Sequence, residues 1–347
     1  MLDTYLAKFE RMIRPEYYAR VEQAYRRAFE WEEMDELPFT WSDLPPIDDH
    51  DWPDFPYNDT HVDREKMLLH QLQAPFLHAQ TNDHYPLAIR ANYGTVILPT
   101  ILGAQYQLTE NSMPWVHHLP DRAAILRVIE AGVPDPRTGL GAACLDTAEY
   151  FLEKLAPYPQ LSHFTHIYHP DLQGPFDVAH LLWGPEIFLA LYDCPETVHA
   201  LLDIVTRTYI SWLRTWKELV GEGNDFTAHW SIMMRGGAML RDDTPVMLST
   251  AQYLEFVQPY DQQVLDAFGG CIHFCGRGDQ FIEPMCQSRN LYGINPSQPD
   301  WNDMGKLWRA TRSRRLVVLN ISEEYLPADI HSGVTLVRSW SDHSRAN

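Results

Sequence analysis

The stretch Gly269-Gly270-Cys271-Ile272-His273-Phe274-Cys275-Gly276 reads as one buried strand that ends in a pair of reactive side chains. Its residues are small or apolar, and glycines border it on both sides. Because side chains alternate along a strand, Cys271, His273 and Cys275 share one face. One metal ion could contact His273 and Cys275 at about 2.0–2.3 Å from each, whereas Cys271 lies about 13 Å from Cys275 along the strand. A thiolate and an imidazole suit zinc, but zinc sites use at least three protein ligands. The alternative interpretation is a core histidine beside buried thiols.

The composition restricts the class of protein. The chain has 347 residues, of which 45% are hydrophobic, and 27 basic against 47 acidic residues give a net charge of −20. Such a field repels nucleic acid and anionic membranes, so we expect neither as a partner. The five cysteines are scattered and odd in number, which does not fit a disulfide framework. With no apolar signal segment near Met1 and no run of 18 apolar residues, we expect a cytoplasmic enzyme.

The first 80 residues differ in pattern from the rest of the chain. Residues 1–35 and about 63–79 have helical spacing, and residues 37–60 alternate prolines with aspartates, which predicts an irregular connection. We therefore predict that residues 1–80 form a helical and Pro/Asp-rich elaboration packed on a second region, residues 81–347, within one structural domain.

The second half of the sequence alternates apolar runs with helical patterns. These runs are nearly continuous, as in parallel strands buried on both faces. No Gly-x-Gly-x-x-Gly or Gly-x-x-x-x-Gly-Lys motif occurs, so a nucleotide-binding fold has no phosphate loop here. The pattern predicts an α/β fold, a (β/α)8 TIM-type barrel with its chemistry at the carboxyl ends of the strands.

Polar and aromatic residues follow several of the predicted strands and would converge on one mouth. An alternative for each is a hydrogen bond to nearby loop backbone, and for the aspartate pair a helix cap. The candidates are Arg90 and Tyr93 after residues 87–89, His169 after 161–168, His229, Trp230 and Arg235 around 226–231, Asp242 and Asp243 after 238–240, and Asn295 after 291–295.

Several short segments together resemble the uroporphyrinogen decarboxylase superfamily over roughly residues 85–338. That superfamily also includes zinc-dependent methyltransferases that act on corrinoid proteins, and its fold is the same barrel. The segments are Gly174-Pro175-Phe176-Asp177, Trp183-Gly184-Pro185-Glu186, Cys194-Pro195-Glu196-Thr197-Val198, Leu240-Arg241-Asp242-Asp243 with Ser249, Phe256-Val257-Gln258-Pro259-Tyr260 and Ile272-His273-Phe274-Cys275-Gly276.

The resemblance favours the methyltransferase branch. The Met-Arg-Gln-Ala-Gly-Arg motif of the decarboxylases is missing, whereas the His-x-Cys of the methyltransferases is matched by His273 and Cys275. The branch has a third ligand, a cysteine near the last strand, but no cysteine follows Cys286 here. His331 or His229 could take its place, and a glutamate of the branch corresponds to Asn295 or its neighbours.

Three functions follow from the resemblance. The first is transfer of a methyl group from a methylated corrinoid or related donor to a small-molecule thiol activated by zinc, with the corrinoid carried as a substrate by a partner protein. The second is metal-free decarboxylation of a tetrapyrrole or smaller acid, with Arg90 or Arg235 holding a carboxylate and Asp242 or Asp243 moving a proton. The third is a non-catalytic barrel that binds a corrinoid carrier protein.

Overall fold

The computed structural model of the chain describes residues 1–46 and 51–346. Residues 47–50, which belong to the predicted irregular connection, lie outside the described residues. The strands are β1 (Phe39–Ser42), β2 (Ala88–Ile89), β3 (Tyr106–Gln107), β4 (Trp115–Val116), β5 (His166–Ile167), β6 (Phe226–His229), β7 (Ile232–Arg235), β8 (Ala238–Arg241), β9 (Gly270–Phe274), β10 (Leu291–Pro296), β11 (Val317–Ser322) and β12 (Val334–Ser339). The helices are α1 (Leu2–Glu10), α2 (Pro15–Phe29), α3 (Tyr57–Val62), α4 (Arg64–His78), α5 (Ile97–Ile101), α6 (Arg122–Ala131), α7 (Gly139–Leu155), α8 (Pro159–Phe164), α9 (Pro175–Trp183), α10 (Ile187–Asp193), α11 (Pro195–Val220), α12 (Thr250–Phe256), α13 (Gln258–Phe268), α14 (Ile282–Met285), α15 (Met304–Arg314) and α16 (Trp340–Ala346).

Within the described residues, eight parallel strands surround one interior in the order in which they occur along the chain. Six are joined in the order β1-β12-β11-β10-β9-β8, and β2 pairs with β5. Between β1 and β2, the His84 amide donates to the Phe39 carbonyl at 2.8 Å. Between β5 and β8, the Met239 amide donates to Nε2 of His169 at 3.0 Å. The predicted (β/α)8 TIM-type barrel is confirmed.

The first barrel strand lies inside the segment that the sequence predicts to be irregular. Phe39 to Ser42 pair in parallel with Leu336 to Ser339 of β12, and the side chains of Phe39 and Thr40 are buried. Four residues between prolines give too little pattern to predict a strand, whereas pairing with β12 supplies its hydrogen bonds. The predicted division at residue 80 therefore assigns β1 to the elaboration, although β1 completes the barrel.

Strands β6 and β7 form an antiparallel hairpin where the sequence predicts one strand over residues 226–231. Trp230 occupies the turn with a positive φ of 51°, which reverses the chain. At the open end of the hairpin, the ring of Phe226 contacts Phe29 of α2, with ring centroids 5.9 Å apart. The turn reaches the interior, where Nδ2 of Asn320 in β11 donates to the Ser231 hydroxyl at 3.3 Å. The hairpin therefore extends from α2 toward the carboxyl ends of the barrel strands.

The clearest helix of the sequence, residues 195–220, matches the bounds of α11. Pro195 occupies the first turn, where its missing N–H costs nothing, and Gly221 ends the helix with a φ of 72°. Tyr209, Trp212 and Trp216 are fully buried on one face, where burial of the apolar part of each ring contributes roughly 1.5–3 kcal/mol before the cost of burying its polar atom. Among the described residues, none of the helices combines the length and apolar character needed to cross a membrane.

Candidate metal centre

Three side chains that can bind a metal meet at the carboxyl ends of β8 and β9. Parallel pairing places Arg241 opposite His273, so Asp243 and Cys275 lie side by side just past the two strands. Nε2 of His273 is 3.3 Å from Sγ of Cys275 and 3.4 Å from Oδ1 of Asp243. The three possible ligand atoms all lie within 4.8 Å of one another. The cluster thus contains the predicted ligands His273 and Cys275, with Asp243 as a third.

The spacing of these atoms fits a tetrahedral zinc ion. Bonds of about 2.0–2.3 Å to nitrogen, sulfur and oxygen ligands imply about 3.3–3.8 Å between neighbouring ligand atoms. The two distances from Nε2 of His273 lie in that range. One nitrogen, one sulfur and one oxygen ligand would leave a fourth position for a substrate, which is the arrangement of catalytic zinc sites.

The ring of His273 is held by a partner on the next strand. Nδ1 of His273 is 2.6 Å from Oδ1 of Asn295, and Nδ2 of Asn295 donates to the Leu319 carbonyl at 2.6 Å. Because the amide NH2 of Asn295 is bound to the carbonyl, its oxygen faces the ring and accepts from Nδ1–H. Nε2 of His273 is then free to bind a metal. Asn295, predicted to bind substrate, instead contacts a candidate ligand directly.

His273 and Asp243 in this cluster change each other's pKa. Burial lowers the pKa of His273, but hydrogen bonds and charge from Asp243 and Cys275 outweigh it and raise that pKa to about 9. Burial acts against ionisation of Asp243, yet His273 and Arg241 lower the pKa of that carboxyl to about 2. The backbone N–H of Cys275 also donates to Asp243 at 3.0 Å. The positive charge of a protonated His273 therefore faces the Asp243 carboxylate.

A second network centres on Asp171, which the sequence analysis did not single out. Its buried carboxylate lies 2.5 Å from Nη1 of Arg90 and 3.0 Å from Nη1 of Arg241, and it accepts from Nε1 of Trp230 at 2.8 Å. Burial raises the pKa of Asp171, but the two guanidinium groups outweigh it, and the net shift is downward. Arg241 also approaches Asp243, with 3.6 Å between Nη2 and Oδ2. Asp171 thus joins two predicted site residues, Arg90 and Trp230, to the cluster of candidate ligands.

Trp230 forms one wall of the cluster. Its ring packs edge-on against His273, with centroids 5.1 Å apart, and the Arg241 guanidinium lies 5.5 Å from its centroid.

The predicted site residues His169 and His229 lie nearby but deeper. His169 is bonded at both ring nitrogens, to the Pro170 carbonyl and the Met239 amide, and burial lowers its pKa to about 4. It is therefore a neutral side chain with no nitrogen left for a substrate.

His229 is fully buried beneath Trp230. Its Nε2 is 3.7 Å from Oδ1 of Asp171, and its ring lies 4.5 Å from the His169 ring. Burial is the main cause of a pKa far below the ordinary value. His229 is thus a neutral group that the structure does not bring into the metal-ligand cluster.

Asp242, the neighbour of Asp243, points away from the cluster into the protein. Its carboxyl lies against Gly174, where a Cβ would meet Oδ1 at 2.6 Å. Burial and the nearby Asp261 raise the pKa of Asp242 well above its usual range. One carboxyl of this buried pair has to be protonated for the two to share a hydrogen bond. The two adjacent aspartates predicted to be catalytic therefore have opposite environments.

Three predicted site residues lie outside the cluster. The hydroxyl of Tyr93 is bonded to Thr147 of α7 at 2.9 Å. Arg235 is exposed at the open end of the hairpin, with its guanidinium over the Tyr292 ring, because β7 runs antiparallel to the strand that was predicted. His331 is exposed and precedes β12, a strand that the sequence analysis did not identify, so it lies at the amino end of that strand. His331 therefore does not supply the third ligand.

The sequence indicates only in part that Asp243 belongs with His273 and Cys275 and that Arg241 and Asp171 lie at the site. Asp243 was already a candidate, because it follows an apolar run, but only the register of β8 against β9 shows that it meets Cys275. Arg241 is the last residue of the same strand. Asp171 lies in a loop after β5, where the spacing of residues gives no indication of its partners.

Comparisons with known proteins agree with this architecture. Residues 88–326 match the family model described as Uroporphyrinogen decarboxylase (URO-D). The solved structure of a methyltransferase from Methanosarcina mazei is similar at a TM-score of 0.64 and 16% sequence identity, over 91% of this chain and 92% of that chain. At that identity the likeness shows a shared fold. No curated protein matches the sequence. Because the family match spans well over half of the 347 residues, the chain belongs to the uroporphyrinogen decarboxylase family.

Proposed function

We propose that the chain is a zinc-dependent methyltransferase that moves a methyl group from a methylated corrinoid, or a related donor, to the thiol of a small molecule. The observation that carries the proposal is the convergence of Asp243, His273 and Cys275 within 4.8 Å at the carboxyl ends of adjacent barrel strands. Membership of the family and the shared fold with a methyltransferase support it.

The residues of the cluster have distinct roles in this proposal. Zinc, when bound, would lower the pKa of the acceptor thiol and keep it as a thiolate at neutral pH. His273 supplies a neutral nitrogen whose direction Asn295 fixes. Asp243 and Cys275 supply two negative charges that balance a divalent cation. A fourth ligand position stays available to the acceptor.

The residues around the cluster favour an ordered, partly dry position for the acceptor. Trp230 covers one side of His273, and its indole N–H is held by Asp171. Arg241 reaches both Asp171 and Asp243, so its charge stabilises the carboxylate ligand. Excluding water from one side of a thiolate raises its effective nucleophilicity, because fewer hydrogen bonds stabilise the anion.

The proposal also includes a corrinoid carrier protein that presents the donor to the barrel mouth. Met247 and Tyr192 are 73% and 76% exposed, on segments that follow β8 and β5. The Tyr192 hydroxyl accepts from Gln252 at 3.0 Å, which joins these two segments. Exposed large apolar side chains beside a site favour protein docking.

Decarboxylation receives less support from the contacts. Arg90 and Arg241 both pair with Asp171, so neither is a free guanidinium for a substrate carboxylate. Arg235 lies at the open end of the hairpin, whereas the turn at the opposite end carries Trp230, which packs against His273. We therefore do not propose carboxylate removal.

Metal content tests the proposal. We expect protein purified without chelator to carry about one equivalent of zinc, and Cys275→Ser, His273→Ala and Asp243→Asn to reduce it. His331→Ala, an exposed histidine outside the cluster, is the matched control and should keep its zinc. The loaded protein should demethylate methylcobalamin in the presence of a small thiol. A zinc content below about a tenth of an equivalent, with no uptake on adding zinc, would sink the proposal.

A further inference from the structure

A cavity of about 330 Å³ opens at the amino ends of β10 and β11. Its walls are two segments, residues 286–291 leading into β10 and residues 313–316, which run from the end of α15 toward β11. Leu291 begins β10, and Asn295, which contacts His273, lies four residues later, or about 13 Å farther along the strand. The cavity is therefore separate from the candidate metal centre.

Three arginines line this cavity, and none of its lining residues is acidic. Arg289 is paired with Asp266 at 2.7 Å. Arg315 donates from Nη2 to the Glu30 carbonyl at 2.8 Å, and its guanidinium lies 5.8 Å from the centroid of the Trp31 ring. Arg314 and Arg315 are both exposed, and neither has an ion pair with any residue in the part of the chain that the structure describes. Two guanidinium charges of this cavity thus lack a direct counter-charge among those residues.

The floor of the cavity is polar and buried. Cys286 and Ser288 are 1% and 6% exposed. Burial raises the pKa of Cys286 to about 12, while the charge of Arg314 acts in the opposite direction, so the guanidinium lies near this thiol. Glu283 also acts on the thiol but does not line the cavity. The Ser288 hydroxyl accepts from Gln258 at 3.4 Å, and within the described part of the chain its own hydrogen has no acceptor, so it can donate to a ligand.

The positive charge of this cavity differs from the net negative charge of the chain. The net charge is −20, and a larger cavity of about 500 Å³ beside β1 and β12 is lined by four carboxylates and one arginine. Basic residues in the last turn of α15 also suit the helix dipole, which explains Arg312 and Arg314 in part. The dipole does not explain why Arg289, from a different loop, lines the same cavity.

We propose that this cavity binds a phosphate group, either inorganic phosphate or the end of a phosphate monoester. Guanidinium groups match phosphate oxygens in pairs, and a serine hydroxyl can donate to a further oxygen. Arg314 and Arg315 supply the charge, and Ser288 supplies the buried donor. A bound phosphate would join the loops that precede β10 and β11.

Calorimetric titration of the full chain tests the proposal, with inorganic phosphate and phenyl phosphate as probes at constant ionic strength adjusted with chloride. We expect saturable binding of at least one probe and a raised midpoint of thermal unfolding. Arg314→Ala should weaken binding by about tenfold, because it removes a charge-assisted pair of hydrogen bonds. Arg309→Ala is the matched control, since Arg309 is an exposed arginine of the same helix outside the cavity.

The two probes separate the two sources of the phosphate. Equal binding of both identifies the phosphate group as the whole ligand, and binding of phenyl phosphate alone identifies a monoester. If Arg314→Ala lowers the stability of the protein, Ser288→Ala provides a second variant that should also weaken binding. Absence of saturable binding by either probe, or equal affinities for Arg314→Ala and Arg309→Ala, overturns the proposal.

Discussion

Replacing Asn295 tests whether the partner of His273 controls zinc binding. Asn295→Ala removes the oxygen that accepts from Nδ1 of His273 at 2.6 Å, so the ring can rotate and Nε2 loses its fixed direction. Loss of such a partner typically costs 10–100-fold in metal affinity, or about 1.4–2.8 kcal/mol. The same substitution leaves the Leu319 carbonyl without its 2.6 Å donor in a buried position. That loss should lower the free energy of unfolding by about 1–3 kcal/mol even without metal.

Asn295→Asp separates these two effects. A carboxylate can still accept from Nδ1 of His273, and carboxylate–histidine–zinc arrangements are common, so zinc affinity should stay within about threefold of the wild type. A carboxylate cannot donate to the Leu319 carbonyl, so the metal-free variant should lose stability as Asn295→Ala does.

The assay is competition for zinc with a chromophoric chelator at pH 7.5, combined with guanidinium unfolding of the metal-free proteins. The expected order of zinc affinity is wild type and Asn295→Asp above Asn295→Ala. If Asn295→Ala binds zinc as tightly as the wild type, Asn295 does not orient His273, and the reasoning is wrong.

Three further predictions concern the same cluster. Cys275→Ser should abolish zinc binding with little loss of stability. Cys271→Ala, at a fully buried position, should keep zinc and lose about 1–2 kcal/mol of unfolding free energy. Measuring the zinc content and the unfolding curve of each variant checks both expectations. Because the pKa of His273 is about 9 without metal, zinc has to displace a proton, and apparent zinc affinity should rise about tenfold per pH unit from pH 6.5 to 8 and by a smaller factor from pH 8 to 9; a flat profile in the competition assay would contradict this. In the metal-free protein the raised pKa of His273 contributes stability that is full below pH 6.5 and is lost as the pH rises through about 9. The lowered pKa of Asp243 contributes stability that is full above pH 3.8 and is lost as the pH falls toward 2. Measured unfolding free energies of wild type and Asp243→Asn should therefore converge toward pH 2 and draw closer above pH 9 without meeting, because Arg241 still faces Asp243 there.

The barrel and half of the candidate site could be predicted from residue patterns. The alternation in β9 places His273 and Cys275 on one face, and apolar runs separated by helical patterns predict the parallel strands. Such signals are local, because strand alternation and helical periodicity are repeated every two to four residues. The position of α11 could be predicted for the same reason, since Pro195 and Gly221 mark its ends.

The rest of the site depends on pairing between distant residues. Asp243 becomes a candidate ligand only because β8 and β9 pair with Arg241 opposite His273. Asp171 meets Arg241 from a loop some 70 residues earlier in the chain, by their numbers. Arg235 lies away from the cluster because Trp230 reverses the chain, and a left-handed tryptophan is not expected from its residue type.

The pairing of β1 with β12 joins residues 39–42 to residues 336–339 and so couples two segments almost 300 residues apart. During synthesis the ring of strands cannot close until residues 336–339 have left the ribosome. Until then β1 and β11 both present unpaired edges, which can add strands from other chains. The two strands that lead to Asp243, His273 and Cys275 are complete 60 residues before β12 begins. The candidate ligands can therefore come together on neighbouring strands while the barrel is still an open sheet, and closure is the late, aggregation-sensitive step of folding.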